Sequence, residues 1–148
     1  VDIGSEYRCP ELSSALVYSQ INKVKKIHSK RKLIWHKYEK LINDLNTDNF
    51  YLVKPIKNSS SSYHIIALIF FNLKKANQFK NFMQKKGIAA TFHYVPLHKS
   101  RMGKKFCNYK LPITEHIYNK VVRLPLFSDM TKGEFNKISK AIKIFVNK

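Results

Sequence analysis

The sequence predicts an α/β fold in which a long helix is followed by a small mixed sheet covered by helices. Two observations support this prediction. Short runs rich in β-branched and aromatic residues alternate with segments whose apolar residues recur every three or four positions. The 148 residues, of which 44% are hydrophobic, are also enough for one domain with its own core. We therefore expect a loop and linking helix over residues 1–45 and a small α/β domain over residues 50–148.

Residues 10–45 are predicted to be helical. Pro10 suits a first helical turn, and Glu11 complements the positive end of the helix dipole. The apolar residues then form one stripe at helical spacing: Val17, Ile21, Val24, Ile27, Ile34, Tyr38, Leu41 and Leu45. Because 36 residues exceed a typical globular helix, we expect two helices, or one that is kinked near the basic run at residues 23–32.

The rest of the chain is predicted to alternate between strands and helices. Strands are expected at residues 50–56, 63–71, 88–94 and 122–126, and helices at 73–86, 112–121 and from 131 onward. The strand at 63–71 is apolar enough to be buried on both faces. Asn72 and the Thr131–Glu134 capping box are predicted to begin helices, and Gly87 is predicted to end one in a left-handed conformation.

The net charge of +19 is the most unusual feature of the composition. A large positive field can attract nucleic acid, anionic membranes or anionic ligands. However, 24 of the 28 basic residues are lysine, and arginine is the better reader of phosphates and base edges. The lysines are also scattered, in a composition typical of A/T-rich codons. The charge therefore favours a solvated surface over a nucleic-acid partner.

Compartment and membrane association are predicted from cysteines and apolar runs. Cys9 and Cys107 form neither a disulfide framework nor a metal-type pair. The longest apolar run, Ile65–Phe71, is far too short to cross a membrane, and no secretory signal opens the chain. We expect a cytoplasmic protein with no membrane partner. Since the sequence begins with Val1, we also expect it to be a fragment.

Packing does not explain the polar residues 2–8, which lead directly into the long helix. They include a glycine, a hydroxyl group and Arg8, one of only four arginines. The start of a helix offers free N–H groups and a positive dipole end, which suit a phosphate. The alternative is an ordinary capping loop in which Arg8 pairs with Glu6 or Glu11.

Packing also does not explain residues 92–98, where His93 and His98 flank a bend fixed by Pro96. A zinc site would need further ligands such as Cys107 or His116, in a spacing that matches no known zinc motif. Acid–base chemistry or hydrogen bonding to a polar ligand is the stronger hypothesis. The alternative is that both histidines simply lie on a loop.

Several phrases together resemble one family, the sugar-nucleotide aminotransferases of the DegT/StrS-like group, which are pyridoxal-phosphate (PLP) enzymes of fold type I. The phrases are Val1–Ser5 with Tyr7, Pro10–Ala15 with Gln20, His93–His98 after Gly87-Ile88, Leu111–Glu115, Arg123–Phe127 and Met130-Thr131. Their order and spacing agree with the family over essentially all 148 residues. The resemblance implies that this chain is the carboxyl-terminal domain of such an enzyme, without its large PLP-binding domain.

The family resemblance also implies an activity. Such an enzyme is a homodimer that uses PLP to pass an amino group from glutamate to a 4-keto-6-deoxy sugar on dTDP. Its product serves cell-surface polysaccharide, lipopolysaccharide or enterobacterial common antigen synthesis. The lysine that holds PLP lies upstream of the matched segment in this family. The chain alone is therefore expected to be inactive and to contribute no catalytic residue and no metal ligand.

The site residues implied by the resemblance fall in the two polar segments. Three lie near the cofactor phosphate: Ser5, Glu6 and Arg8. Five line the sugar-nucleotide pocket: Tyr7, Arg8, His93, Tyr94 and His98. Glu6 stands where the family usually has asparagine. Because a carboxylate repels a phosphate, Arg8 is expected to supply the compensating positive charge. Two alternatives remain, a basic nucleic-acid-binding module and an inactive remnant of the transaminase.

Overall fold

The computed structural model describes residues 8–92, 94–106 and 109–147. Within them the helices are α1 (Glu11–Ile21), α2 (Val24–Leu45), α3 (Leu73–Lys85), α4 (Gly103–Phe106), α5 (Pro112–Ile117) and α6 (Lys132–Val146). The strands are β1 (Phe50–Leu52), β2 (Ile66–Phe70) and β3 (Val121–Leu124), and Leu97–Lys99 and Tyr118–Lys120 form single 3-10 turns. The predicted α/β class is confirmed.

The predicted long helix is two helices, α1 and α2, which meet at Asn22 and Lys23. Only the second half of the predicted apolar stripe is buried. In α2 the buried residues are Ile34, Trp35, Tyr38, Leu41 and Ile42, whereas α1 buries none. Asn46 ends α2 with a left-handed φ of 41°, a conformation that asparagine tolerates. The stripe therefore continues onto a helix with no described surface to cover it.

The sheet is entirely antiparallel, in the order β1-β2-β3, although a mixed sheet was predicted. The prediction placed a strand at residues 88–94, which would run parallel to β2 after α3. Among the described residues of that stretch, only Thr91 pairs with the sheet, in a two-hydrogen-bond bridge to Arg123. One bridge makes no strand, so the crossover after α3 adds no parallel neighbour and the prediction of a strand at 88–94 was wrong.

One face of the sheet carries the core. Its buried residues alternate along the three strands: Phe50, Leu52, Ile66, Leu68, Phe70, Val122 and Leu124. Buried side chains of α2, α3 and α6 join them in a single cluster. The other face is half-exposed, because β2 alternates between buried and intermediate residues. The prediction that β2 is buried on both faces was therefore wrong.

The predicted helix ends are confirmed. The Asn72 side chain accepts hydrogen bonds from the amides of Lys74 and Lys75, and Gly87 follows α3 with a φ of +66°. Thr131 and Glu134 form the reciprocal capping box at the start of α6. None of the helices built from the described residues is long and apolar enough to span a membrane.

Candidate functional site

A polar cluster lies where the 3-10 turn Leu97–Lys99 meets α5, and it is centred on the carboxylate of Glu115. His98 Nε2 lies 3.2 Å from Glu115 Oε1, and Lys99 Nζ lies 2.7 Å from Oε2. The backbone amide of Leu111 donates the third hydrogen bond of the carboxylate, to Oε1 at 3.2 Å. One side chain therefore joins the turn to the start of α5.

Local sequence explains this geometry. Pro112 occupies the first position of α5 and Glu115 its first turn, where a carboxylate favours the positive end of the helix dipole. Its reach back to the Leu111 amide satisfies one of the donors that a helix start leaves free. On the other side, Pro96 precedes the 3-10 turn that carries His98 and Lys99.

A tight turn stabilises the far side of the segment. Ser100 Oγ donates to the Leu97 carbonyl at 2.7 Å and accepts from the Gly103 amide at 2.8 Å. A Cβ placed on Gly103 would lie 1.8 Å from the Leu97 carbonyl oxygen. Only glycine therefore fits this close backbone approach.

The electrostatics of the cluster keep Glu115 ionised. Hydrogen bonds from Lys99, Leu111 and His98, together with the charge of Lys99, lower the pKa of Glu115 to about 2. The same hydrogen bond to Glu115 raises the pKa of Lys99 above its ordinary value. At neutral pH the cluster thus contains a carboxylate and an ammonium group.

The predicted site residues are found in different settings. The His98 side chain is only 8% exposed and faces Glu115. Tyr94 is 74% exposed and precedes the cluster in the chain, and Arg8 is exposed just before α1. Ser5, Glu6, Tyr7 and His93 lie outside the described residues. The cluster's partners come from residues 98–115, so Arg8 contributes none of them.

The sequence analysis missed Lys99, Gly103 and Glu115 as site residues. For Glu115 a signal was present, since it is the only acidic residue between positions 49 and 128, a stretch rich in lysine. A lone carboxylate in such a stretch has many cations to pair with. The close approach at Gly103 is not visible in the sequence.

Two groups of apolar side chains are exposed outside the core. The first is a set of exposed side chains on the segment around the cluster: Tyr94, Leu97, Met102, Phe106, Tyr109 and Ile113. The second is on α1 and the start of α2, where Leu16, Val17, Ile21 and Val24 line a shallow groove of about 290 Å³ with Gln20. Large apolar surfaces of this kind typically mark interfaces.

The described residues contain no group of three His, Cys, Asp or Glu side chains that could hold a metal ion. Two of the residues considered for zinc, His93 and Cys107, lie outside the described part of the chain.

Comparisons with known proteins agree on one family. The profile of the DegT/DnrJ/EryC1/StrS aminotransferase family matches residues 1–143. The fold is similar to that of PseC from Helicobacter pylori, an aminotransferase involved in the biosynthesis of pseudoaminic acid, with a TM-score of 0.81 and 22% identity. That similarity covers 99% of this chain and 40% of PseC.

Two further solved structures have the same relation to the chain. DesV from S. venezuelae, solved in complex with a ketimine intermediate, is 16% identical with a TM-score of 0.83, over 95% of this chain and 38% of DesV. A DegT DnrJ EryC1 StrS aminotransferase from Brucella abortus is 20% identical with a TM-score of 0.80, over 100% of this chain and 39% of that protein. The chain therefore spans about two fifths of the length of these enzymes.

Proposed function

This chain belongs to the DegT/DnrJ/EryC1/StrS aminotransferase family, and we propose that it is the carboxyl-terminal part of a PLP-dependent sugar-nucleotide transaminase. The observation that carries this proposal is the extent of the family match, which covers residues 1–143 of 148. The sequence resemblance stated above covers the same residues. The missing part of such an enzyme would hold the cofactor.

The proposed reaction moves an amino group from glutamate to the keto carbon of a 4-keto-6-deoxy sugar on dTDP. Within the family, the phrases Val1–Ser5 and His93–His98 favour the branch that forms dTDP-4-amino-4,6-dideoxygalactose. Its product would serve a cell-surface polysaccharide such as lipopolysaccharide or enterobacterial common antigen. PLP, when bound in the complete enzyme, supplies the electron sink for this transfer.

The described residues support a binding role for this chain. The Lys99 ammonium is about one-third exposed and lies 5.5 Å from the centre of the Tyr118 ring, so it is oriented and still accessible. A lysine ammonium binds phosphate as a point charge. The exposed Tyr94 adds an aromatic face that can pack on a sugar or a base. Each of these groups suits one part of a nucleotide-linked sugar.

The charged residues of the chain indicate which part of PLP it could bind. Arg8 is exposed just before the amino end of α1, and a guanidinium suits the cofactor phosphate. The carboxylate of Glu6 would repel the phosphate unless the positive charge of Arg8 offsets it. None of the described lysines is buried, so none lies in an enclosed pocket of this chain. We infer that the chain contributes one phosphate-binding charge and that the cofactor lysine belongs to the large domain.

The proposed partners are that large domain and the second subunit of a homodimer. The uncovered apolar groove of α1 supports this part of the proposal, because it continues the stripe that α2 buries in the core. Burial of such a surface is favourable in proportion to its apolar area. The chain without these partners is expected to bind no PLP covalently and to be inactive.

The test is to express the complete reading frame that contains these residues and to assay it with PLP, glutamate and dTDP-4-keto-6-deoxyglucose. We expect a coloured protein that aminates the sugar, and a colourless, inactive 148-residue chain. A complete protein that stays colourless with added PLP would refute the proposal and favour a remnant. Tight binding of nucleic acid by that protein would instead favour the basic-module alternative.

A further inference from the structure

We propose that Glu115 positions the segment of residues 94–106 for ligand binding, without touching the ligand itself. The inference deepens the proposed function and depends on it for the identity of the ligand, a nucleotide-linked sugar. Its evidence is the set of three donors that converge on the Glu115 carboxylate, two from within the segment and one from Leu111 after it.

The contacts of Glu115 connect two pieces of chain between which the described residues form only the four-residue helix α4. His98 and Lys99 precede the tight turn at Gly103, and the Leu111 amide follows it. A loop with few regular hydrogen bonds samples many conformations unless side chains restrain it. Between residues 49 and 128 the sequence contains no other carboxylate, so no second acidic residue in that stretch could replace Glu115.

The carboxylate also determines which ring nitrogen of a neutral His98 carries the hydrogen. An ionised carboxylate only accepts hydrogen bonds, so the Nε2 atom of His98 must carry the hydrogen that points to Glu115. A neutral His98 is then the Nε2–H tautomer, with Nδ1 as an acceptor. Because its side chain is only 8% exposed, His98 acts here as an anchor of the segment and leaves the accessible contacts to Lys99 and Tyr94.

The consequence for binding is preorganisation. Lys99 is held between Glu115 and the Tyr118 ring, and Ser100 and Gly103 lock the following turn. Binding to a segment that is already fixed costs less conformational entropy than binding that must first order the segment. Removing the carboxylate should therefore weaken ground-state binding of the sugar nucleotide and leave the chemical step nearly unchanged.

The first experiment needs no ligand and uses the 148-residue chain with Glu115→Gln. We expect the imidazole ¹⁵N signals of His98, assigned with His98→Gln, to show one tautomer in the wild type and a mixture in Glu115→Gln. We also expect faster amide hydrogen exchange in the described residues 94–106. Glu39→Gln is the matched control, since Glu39 also contacts a histidine, His36, and a lysine, Lys54, and it should leave both readouts unchanged.

The second experiment uses the complete enzyme. Glu115→Gln should raise KM for the sugar nucleotide about fivefold, the upper range for a partly exposed ion-pair contact, with little change in kcat. Glu115→Asp, which keeps the charge, should raise KM less than Glu115→Gln does. Should Glu115→Gln fail to fold, Glu115→Asp carries the same measurements.

The outcomes separate this inference from the proposed function. Unchanged tautomer and exchange in Glu115→Gln would overturn the positioning role, whether or not the enzyme transaminates. An unchanged KM in an active enzyme would overturn it too. An inactive complete enzyme would count against the proposed function alone, because the ligand-free measurements would still decide the role of Glu115.

Discussion

Two single residues, Gly103 and Glu115, determine the conformation of the segment around the candidate site. Gly103 allows its backbone to approach the Leu97 carbonyl, and Glu115 gathers the donors of two segments. Both residues lie in or beside irregular structure, where periodicity gives no information. Their effects can be measured one substitution at a time.

Gly103→Ala should distort the segment of residues 97–106, because the added Cβ would lie 1.8 Å from the Leu97 carbonyl oxygen. We expect a lower urea midpoint for the chain and faster amide exchange of the Ser100–Gly103 turn.

Gly133→Ala is the matched control in the first turns of α6, where the nearest atom to an added Cβ is 4.0 Å away. It should stabilise the chain by up to about 0.5–1 kcal/mol, since alanine has the higher helix propensity. Equal destabilisation by both substitutions would contradict the close-approach explanation.

The Glu115 contacts should also make the segment sensitive to acid. The pKa of Glu115 is lowered to about 2 in the folded chain, from an ordinary value of 4.5. A depressed carboxyl pKa contributes stability that is present above the unfolded value and is lost as pH falls towards the folded one. We therefore expect this contribution to disappear between about pH 4.5 and pH 2.

The measurement is a ¹³C titration of the Glu115 carboxyl, together with amide exchange of residues 94–106 across that range. In Glu115→Gln the exchange rates should show no such acid-dependent step. A carboxyl that titrates near its ordinary value would mean that the three donors do not act on it together.

At the scale of elements, the helices differ in how they are stabilised. α6 combines a capping box with buried Ile138, Ala141 and Ile142, so local and tertiary interactions favour the same helix. α1 has no side-chain cap and no buried residue among its eleven, and an isolated helix of that length is marginal in water. A surface that covers α1 would therefore stabilise both the helix and the contact.

Thr131→Ala should destabilise the chain by about 1 kcal/mol, because it removes the acceptor for the Glu134 amide and half of the capping box. The measurement is the free energy of urea unfolding. Thr47→Ala, which affects only contacts with Asn49 beyond α2, serves as a comparison and should cost less.

Val17→Ser with Ile21→Ser should leave the stability of the isolated chain nearly unchanged, because both side chains are more than half exposed in it. The same pair should weaken assembly of the complete enzyme, since the groove they line would lose its apolar surface. Sedimentation measures the assembly. Leu33→Ser, at an exposed position of α2, should change neither property, and an unaffected assembly in the double variant would contradict a docking role for α1.

At the scale of the whole molecule, the charge of +19 predicts how the two functional hypotheses respond to salt. Binding to nucleic acid through many phosphates should weaken by orders of magnitude between about 50 and 200 mM salt. Docking on a large domain through apolar surface should persist over the same range. We expect the chain to bind a purified large domain at both salt concentrations and to release DNA at the higher one. Salt-resistant, sequence-selective DNA binding would instead favour the basic module.

Much of the fold could be predicted because it depends on local patterns. The caps at Asn72, Gly87 and Thr131 follow from residue types whose conformational preferences act over a few positions. The break between α1 and α2 was expected, as one of two alternatives, from the length of the helical pattern. Family membership was also predicted from phrases along the whole chain, and the family match over residues 1–143 confirms it.

The strand predicted at residues 88–94 shows where this local information ends. Its β-forming residues favour extended backbone, but a strand also needs a partner, and among the described residues of this stretch β3 pairs only with Thr91. In the same way, the spacing of His93 and His98 indicated a site. The partner of His98 is Glu115, which lies at a helix start seventeen residues away.

The sequence by itself determined the α/β class, the helix ends and the family, because those depend on periodicity, on capping chemistry and on residue order. Tertiary structure alone decided that the sheet is antiparallel, that half of the apolar stripe is uncovered and that Glu115 joins the turn of His98 and Lys99 to the start of α5. The physical reason is that pairing, burial and charge contacts belong to two segments at once. A pattern within one segment does not specify the segment that will face it.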